Sequence, residues 1–112
     1  MTTVRDMVKA MQLEILTGDL QPARASELLM RLSALIGNTN EEIRHADGEF
    51  AAVLLRELES SEKANRARIR AETTDEYARK REARDTKELL TELIRSLKYF
   101  IRSAEEEMRL SR

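Results

Sequence analysis

Apolar residues recur at spacings of three and four along most of the chain, which is the period of a helix that buries one face. No segment shows the strict alternation of apolar and polar residues that is typical of a half-buried strand. The sequence therefore predicts an all-α protein, with a first helix from Thr3 to about Thr17. The apolar stripe of this helix consists of Val4, Met7, Val8, Met11 and Ile15.

Glycine and proline separate the first two predicted helices. Gly18 suits the left-handed position that follows a helix, and Pro22 suits a first helical turn, where its missing N–H is not needed. Residues 1–36 are thus predicted to form a pair of short helices. The stripe of the second consists of Ala25, Leu28, Leu29, Leu32, Leu35 and Ile36.

A longer helix is predicted from about residue 40, because Thr39 and Glu42 have the spacing of a capping box. Gly48 lies inside it, where glycine costs about 1 kcal/mol relative to alanine, so we expect Gly48 to permit a close helix crossing, with a kink as the alternative. The stripe thins from large residues to alanines, and it consists of Ile43, Ala46, Phe50, Val53, Leu54, Leu58, Ala64, Ala67 and Ala71.

A second capping-box spacing, from Thr73 to Glu76, predicts a reversal near residues 73–75, with one continuous helix as the alternative. Folding the chain back there places Leu58 opposite Leu90, Leu54 opposite Ile94, and Phe50 near Leu97 and Ile101. Residues 40–110 are then a long antiparallel helical hairpin, a coiled coil with the two short helices packed at its base. The whole chain, residues 1–112, is predicted to be one domain.

The last helix carries an apolar face wider than one partner helix covers. We therefore expect a homo-oligomer, of which a two-fold dimer is the simplest form. The predicted core or oligomer face consists of Phe50, Leu54, Leu58, Leu90, Ile94, Leu97 and Ile101.

Composition limits the function classes. The 112 residues are 37% charged and 4% aromatic, with no cysteine, so disulfides and thiolate metal sites are excluded and any core is thin. The longest apolar run, residues 50–55, is far shorter than the roughly 20 residues that span a membrane. The amino-terminal residues also lack the pattern of a signal peptide. We expect a cytoplasmic protein with no membrane contact.

Positive charge is concentrated at the tip of the predicted hairpin. Residues 63–84 hold eight basic and four acidic residues, whereas residues 1–62 hold six basic and eleven acidic ones. Arginine suits forked contacts with phosphate, and Tyr77 suits stacking on a base. An ordinary solvated helical surface is the alternative interpretation. The predicted contact residues for nucleic acid, a nucleotide or an acidic partner are Lys63, Arg66, Arg70, Tyr77, Arg79, Arg81 and Arg84, with Arg68 and Lys80 in the same segment.

One spacing resembles a metal motif. Glu42 and His45 lie three residues apart, as in di-iron helical bundles, but the chain has one histidine, so only a symmetric oligomer completes such a site. Met7, Met11 and Met30 suit either core packing or an adaptable groove. No phosphate loop, nucleophile elbow or zinc spacing occurs, so we expect a protein that is not an enzyme and has no cofactor.

Two segments carry a family resemblance: residues 18–25, Gly-Asp-Leu-Gln-Pro-Ala-Arg-Ala, and residues 97–110, Leu-Lys-Tyr-Phe-Ile-Arg-Ser-Ala-Glu-Glu-Glu-Met-Arg-Leu. Together they resemble small helical-hairpin proteins of bacteriophages and prophages whose function is unassigned. The resemblance implies a phage-encoded protein in the host cytoplasm. The leading hypothesis is a non-enzymatic oligomeric interaction protein with a basic tip. The alternatives are an inhibitor of a host protein that acts through an apolar face, and a ferritin-like metal-binding oligomer.

Overall fold

A single long helix organises the fold. The computed structural model describes residues 2–60 and 63–111, and within these ranges the chain forms helices and no strand. The helix α5 packs against α1, α2 and α3, and α4 packs against α3. The molecule is a rod of 72 × 28 × 22 Å, and the predicted all-α hairpin is confirmed. The helices are α1 (Val4–Leu16), α2 (Pro22–Ala34), α3 (Ile36–Ser60), α4 (Ala64–Ala71) and α5 (Asp75–Leu110).

The predicted ends of the first helix and the predicted start of the second are confirmed. The Thr3 hydroxyl accepts a hydrogen bond from the Asp6 N–H at 3.1 Å, and the Asp6 carboxylate accepts one from the Thr3 N–H at 3.2 Å. Gly18 has φ +89°, which a side chain would strain. Pro22 occupies the start of α2. Local chemistry therefore determines both helix ends and the loop between them.

The boundary between α2 and α3 differs from the prediction. The chain bends at Leu35, whose N–H donates to the Leu32 carbonyl at 3.0 Å, and α3 begins immediately afterwards. Thr39 lies inside α3, fully buried, and its hydroxyl donates to the Ile36 carbonyl at 2.8 Å. The predicted restart with Thr39 as a cap is wrong, because burial turns this hydroxyl back onto the preceding turn.

The chain reverses direction earlier than predicted. Ala71, at the end of α4, packs against Phe50 and Val53 of α3. The helix α4 therefore runs back along the second half of α3 and is already opposite to it in direction. The predicted reversal near residues 73–75 is wrong.

Residues 72–74 separate α4 from α5 without reversing the chain. The Thr74 hydroxyl accepts a hydrogen bond from the Tyr77 N–H at 3.4 Å and donates one to the Ala71 carbonyl at 2.6 Å. Asp75 and Glu76 follow in the first turn, where carboxylates interact favourably with the helix dipole. A helix start at this point is confirmed, although Thr74 provides the cap and not the threonine before it.

The pairing of α3 with α5 follows from the earlier reversal. Arg84 lies 2.7 Å from the Asp47 carboxylate, and the Lys87 ammonium donates a hydrogen bond to the Asn40 side chain. In each pair, the two residues are about equally far from Ala64 along the sequence. The predicted register, centred near residue 74, is therefore wrong.

Apolar side chains form two clusters and not one continuous seam. The base cluster joins α1, α2 and α5, and the arm cluster joins α3, α4 and the start of α5. Burial of a large aliphatic side chain stabilises the fold by about 1.5–3 kcal/mol, so the base cluster, which buries more of them, contributes more. Its buried members are Val4, Val8, Ala25, Leu28, Leu32, Leu90, Leu93 and Leu97. The arm cluster consists of buried Phe50, Val53 and Ala71 with partly buried Leu54 and Tyr77.

The predicted core face is divided between these clusters. Phe50 and Leu54 belong to the arm cluster, whereas the predicted residues of α5 belong to the base cluster, namely buried Leu90 and Leu97 and partly buried Ile94 and Ile101. Leu58 is 43% exposed. The predicted contacts between Phe50 and Leu97, between Leu54 and Ile94, and between Leu58 and Leu90 are wrong, because they assumed the later reversal.

Gly48 does not mediate a close helix crossing. It lies on an exposed side of α3, and a Cβ atom added to it would meet no atom within 4 Å. The prediction of close approach is wrong, and the position has room for a side chain.

Replacing Gly48 with alanine should stabilise the protein by about 1 kcal/mol, because alanine loses less backbone entropy inside a helix. Thermal unfolding followed by circular dichroism should show a melting temperature raised by several degrees. Gly18→Ala is the matched control and should lower it, because Gly18 has φ +89°. An unchanged or lower melting temperature for Gly48→Ala would contradict the open space around this residue.

Leu90 and Leu58 should respond differently to truncation. Leu90 is 0% exposed in the base cluster and Leu58 is 43% exposed. Leu90→Ala should cost about 2–5 kcal/mol of unfolding free energy, and Leu58→Ala about 1 kcal/mol or less. Urea titrations of both variants measure the difference. Equal costs would favour the register with the reversal near residue 74.

Candidate functional site

The helix α4 presents its cations to solvent because its alanines face inward. Ala67 and Ala71 lie on one side of the helix and are fully buried, and their small side chains let α4 approach α3 closely. Lys63, Arg66, Arg68 and Arg70 are all exposed. Residues 63–71 carry these four basic residues and no acidic one.

Ile69 completes this surface, and the sequence analysis missed it. It lies two positions from each buried alanine, so helical geometry places it on the opposite side, and it is 64% exposed. The spacing of Ala67 and Ala71 is the sequence signal that could have identified Ile69, because it marks the buried side of the helix. We call Lys63, Arg66, Arg68, Ile69 and Arg70 the α4 surface.

The predicted cations of α5 are used differently, as contacts to α3. The Arg79 guanidinium lies 3.4 Å from the Glu49 carboxylate and 3.5 Å from that of Glu76. Arg84 pairs with Asp47 of α3 at 2.7 Å. These two arginines therefore hold α5 against α3, and their charge is locally compensated.

Two other cations of α5, Lys80 and Arg81, lie over aromatic rings. The Lys80 ammonium lies 4.6 Å from the centre of the Phe50 ring, and the Arg81 guanidinium lies 5.9 Å from the centre of the Tyr77 ring. The Tyr77 and Phe50 rings are 5.2 Å apart and tilted by 45°. Tyr77 is partly buried in the arm cluster, so its ring contributes to packing, whereas the prediction gave it a base-stacking role.

The predicted contact set is thus divided in two. Lys63, Arg66 and Arg68 make no ion pair with any residue of the described ranges. Arg79 and Arg84 do make such pairs. The structure brings the α4 members together on one exposed helix and turns most of the α5 members toward α3.

A groove of about 610 Å³, lined mainly by polar and charged residues, lies between the start of α1, α3 and α5. Arg5 joins its walls, because its guanidinium donates to the buried Thr86 hydroxyl at 3.0 Å and lies 3.2 Å from the Glu82 carboxylate. Glu42 and His45 line this groove. His45 Nδ1 lies 3.2 Å from the Glu49 carboxylate, one helical turn away.

This groove does not assemble a metal site from the residues that the structure describes. Among residues 2–60 and 63–111, no three histidine, aspartate or glutamate side chains converge on one point suitable for a metal ion. Glu42 and His45 are exposed on α3. The observed arrangement therefore gives no support to the ferritin-like alternative within one chain.

An apolar groove of about 420 Å³ separates α1 from α2. Met7 and Met11 line it, as the adaptable-groove interpretation expects, together with Ala10, Ala34 and Leu35. Met30 lies elsewhere on α2 and is exposed.

An ion pair between Arg24 and Glu14 lines part of the apolar groove. Arg24 donates two hydrogen bonds to the Glu14 carboxylate, at 2.6 and 2.8 Å. Hydrogen bonding to Arg24 lowers the pKa of the Glu14 carboxyl below its ordinary value, and the same contact raises the pKa of Arg24. The pair links α1 to α2 across their loop.

The chain has no match among known proteins. No protein-family model, no curated protein and no solved structure matches it. None of the helices in the described part of the chain combines the length and apolar character needed to cross a membrane.

The Glu14–Arg24 pair predicts a pH dependence of stability. Because the pKa of the folded-state carboxyl is lowered, its contribution is present above the ordinary carboxyl pKa and is lost as the pH falls through the folded-state value. Melting temperatures of the wild type and of Glu14→Gln should therefore differ at neutral pH and converge in acid. A difference that stays constant from neutral to acidic pH would contradict this account.

Proposed function

We propose that this protein is a non-catalytic binding protein that holds nucleic acid through the α4 surface. One observation carries the proposal: four cations with no acidic residue within residues 63–71, exposed on a single helix. Three of them, Lys63, Arg66 and Arg68, have no ion-pair partner among the described residues.

The chemistry of these side chains favours phosphate as the group bound. Arginine presents a planar fork of donors that matches phosphate oxygens. The helix α4 has eight residues and is about 12 Å long, comparable with the span of a few successive phosphates along a strand. The proposal assigns these cations to phosphate contacts, which carry no sequence information. Binding should therefore be independent of sequence.

The charge of the rest of the molecule would orient the contact. Residues 1–62, which include α1, α2 and α3, hold eleven acidic and six basic residues. A polyanion is repelled by such a surface and attracted by α4. The nucleic acid should therefore meet the end of the rod that carries α4, inside the cell, where nucleic acid is available.

Arg66→Gln combined with Arg68→Gln should weaken binding of a labelled single-stranded oligonucleotide about tenfold or more at low salt, since two phosphate contacts are lost. Fluorescence anisotropy at several salt concentrations measures this. The slope of log affinity against log salt should become shallower by about 1.4, because each contact contributes about 0.7 for a single strand.

Arg95→Gln combined with Arg102→Gln is the matched control, because it removes the same net charge from exposed positions of α5. This control should bind with nearly the wild-type affinity. Equal losses in the two variants would show that only net charge matters. Wild-type binding that does not weaken with salt would also overturn the proposal.

A second candidate function is binding of a protein partner in the apolar groove between α1 and α2, as expected of a phage-encoded inhibitor of a host protein. The methionines in that groove favour it, because Met side chains adapt to irregular apolar surfaces. This function would not depend on Arg66 or Arg68.

A further inference from the structure

The last two turns of α5 extend past the helices that cover the rest of it. The residues of α5 that pack on the base cluster end at Ile101, and every described residue from Glu105 onward is exposed. The apolar stripe nevertheless continues to Met108, which lies seven residues after Ile101 on the same side of the helix and is 62% exposed. This helical end has no partner within the described chain.

The charge of this segment is the opposite of that of α4. Glu105, Glu106 and Glu107 are consecutive, and the one ion pair that joins them to another described residue links Glu106 to Arg109 at 3.9 Å. We call Met108, with Glu105 and Glu107 on either side of it, the tail surface. It combines acidic and apolar side chains, as the α4 surface combines basic side chains with Ile69.

These two surfaces lie at opposite ends of the rod. The start of α5 contacts Phe50 through Tyr77, and α4 lies along the part of α3 beyond Phe50. The tail surface is at the other end of α5, which has 36 residues and is therefore about 54 Å long. Within one molecule the two surfaces cannot meet.

We propose that the α4 surface of one copy docks on the tail surface of a second copy, so that the protein assembles head to tail. Arginines at positions 66 and 68 would face the carboxylates at positions 105 and 107, with Ile69 against Met108. Each copy keeps one free surface of each kind, so the contact is heterologous and adds further copies instead of closing as a two-fold dimer.

The size of the surfaces determines how such an assembly behaves. An eight-residue helix against two helical turns buries much less than the roughly 1,200 Å² of a stable interface, so assembly should be weak and dependent on concentration. Exposed charges are screened by salt, so salt should reverse it. The inference does not rest on the proposed nucleic-acid binding, but the two use the same surface, and a polyanion would compete with the tail surface.

Charge reversal at each end gives a direct test in the absence of any polyanion. One variant combines Arg66→Glu with Arg68→Glu and so carries acidic groups at both ends. The other combines Glu105→Arg with Glu107→Arg and so carries basic groups at both ends. Light scattering on a sizing column should show that the wild type grows in mass with concentration at low salt, whereas each variant stays monomeric. An equal mixture of the two variants should regain assembly, because every junction between unlike copies is again complementary.

Glu88→Arg with Glu92→Arg is the matched control for the tail variant, because it makes the same charge change at exposed positions of α5, and it should assemble like the wild type. Circular dichroism verifies that all variants keep their helicity. The proposal is overturned if the wild type stays monomeric, if its mass stops at two copies, or if the mixture of variants fails to assemble. None of these outcomes affects the oligonucleotide titration, so each proposal can be refuted without refuting the other.

Discussion

Packing of the apolar stripe of α5 is the interaction on which the rest of the structure depends. This helix contacts α1 and α2 through the base cluster and contacts α3 farther toward its own start. Its three buried leucines, Leu90, Leu93 and Leu97, lie in the base cluster. Isolated short helices are marginal in water, so the 13-residue α1 and the 13-residue α2 depend on this stripe for their stability.

Helix ends that rely on local chemistry could be predicted from the sequence. The first helix starts after Thr3 as predicted, where Thr3 and Asp6 form a capping box because both are exposed, and Gly18 takes a positive φ that would strain a residue with a side chain. Thr39 has the same spacing to an acid, yet it is buried inside α3. A capping-box pattern does not reveal whether its threonine will be covered by another helix, which is why this prediction failed.

The reversal was misplaced for a different physical reason. Ala67 and Ala71 follow the helical period of α3 closely, so the sequence offers no signal that they belong to a separate helix. Alanine packs against almost any apolar surface, and Ala71 packs against Phe50 and Val53 of α3. The predicted partners of α5 were wrong as a result, because a turn at another position changes which residue of α3 each residue of α5 faces. The candidate site was affected too: Arg66 and Arg79 look alike in the sequence, and only the true register shows that Arg79 meets Glu49.

If the α4 surface binds an anion, that binding is coupled to the packing of the arm cluster. An eight-residue helix carrying three arginines is too short to be stable alone, so α4 stays helical because Ala67 and Ala71 are buried against α3. Mutual repulsion among its cations opposes that docking. An anion bound across Arg66 and Arg68 would remove the repulsion and so favour the docked helix, in the same way that any ligand stabilises the state it binds. The same reasoning applies whether the anion is a phosphate chain or the acidic tail of another copy. The arm is therefore the part of the molecule whose stability should respond most to what the protein binds.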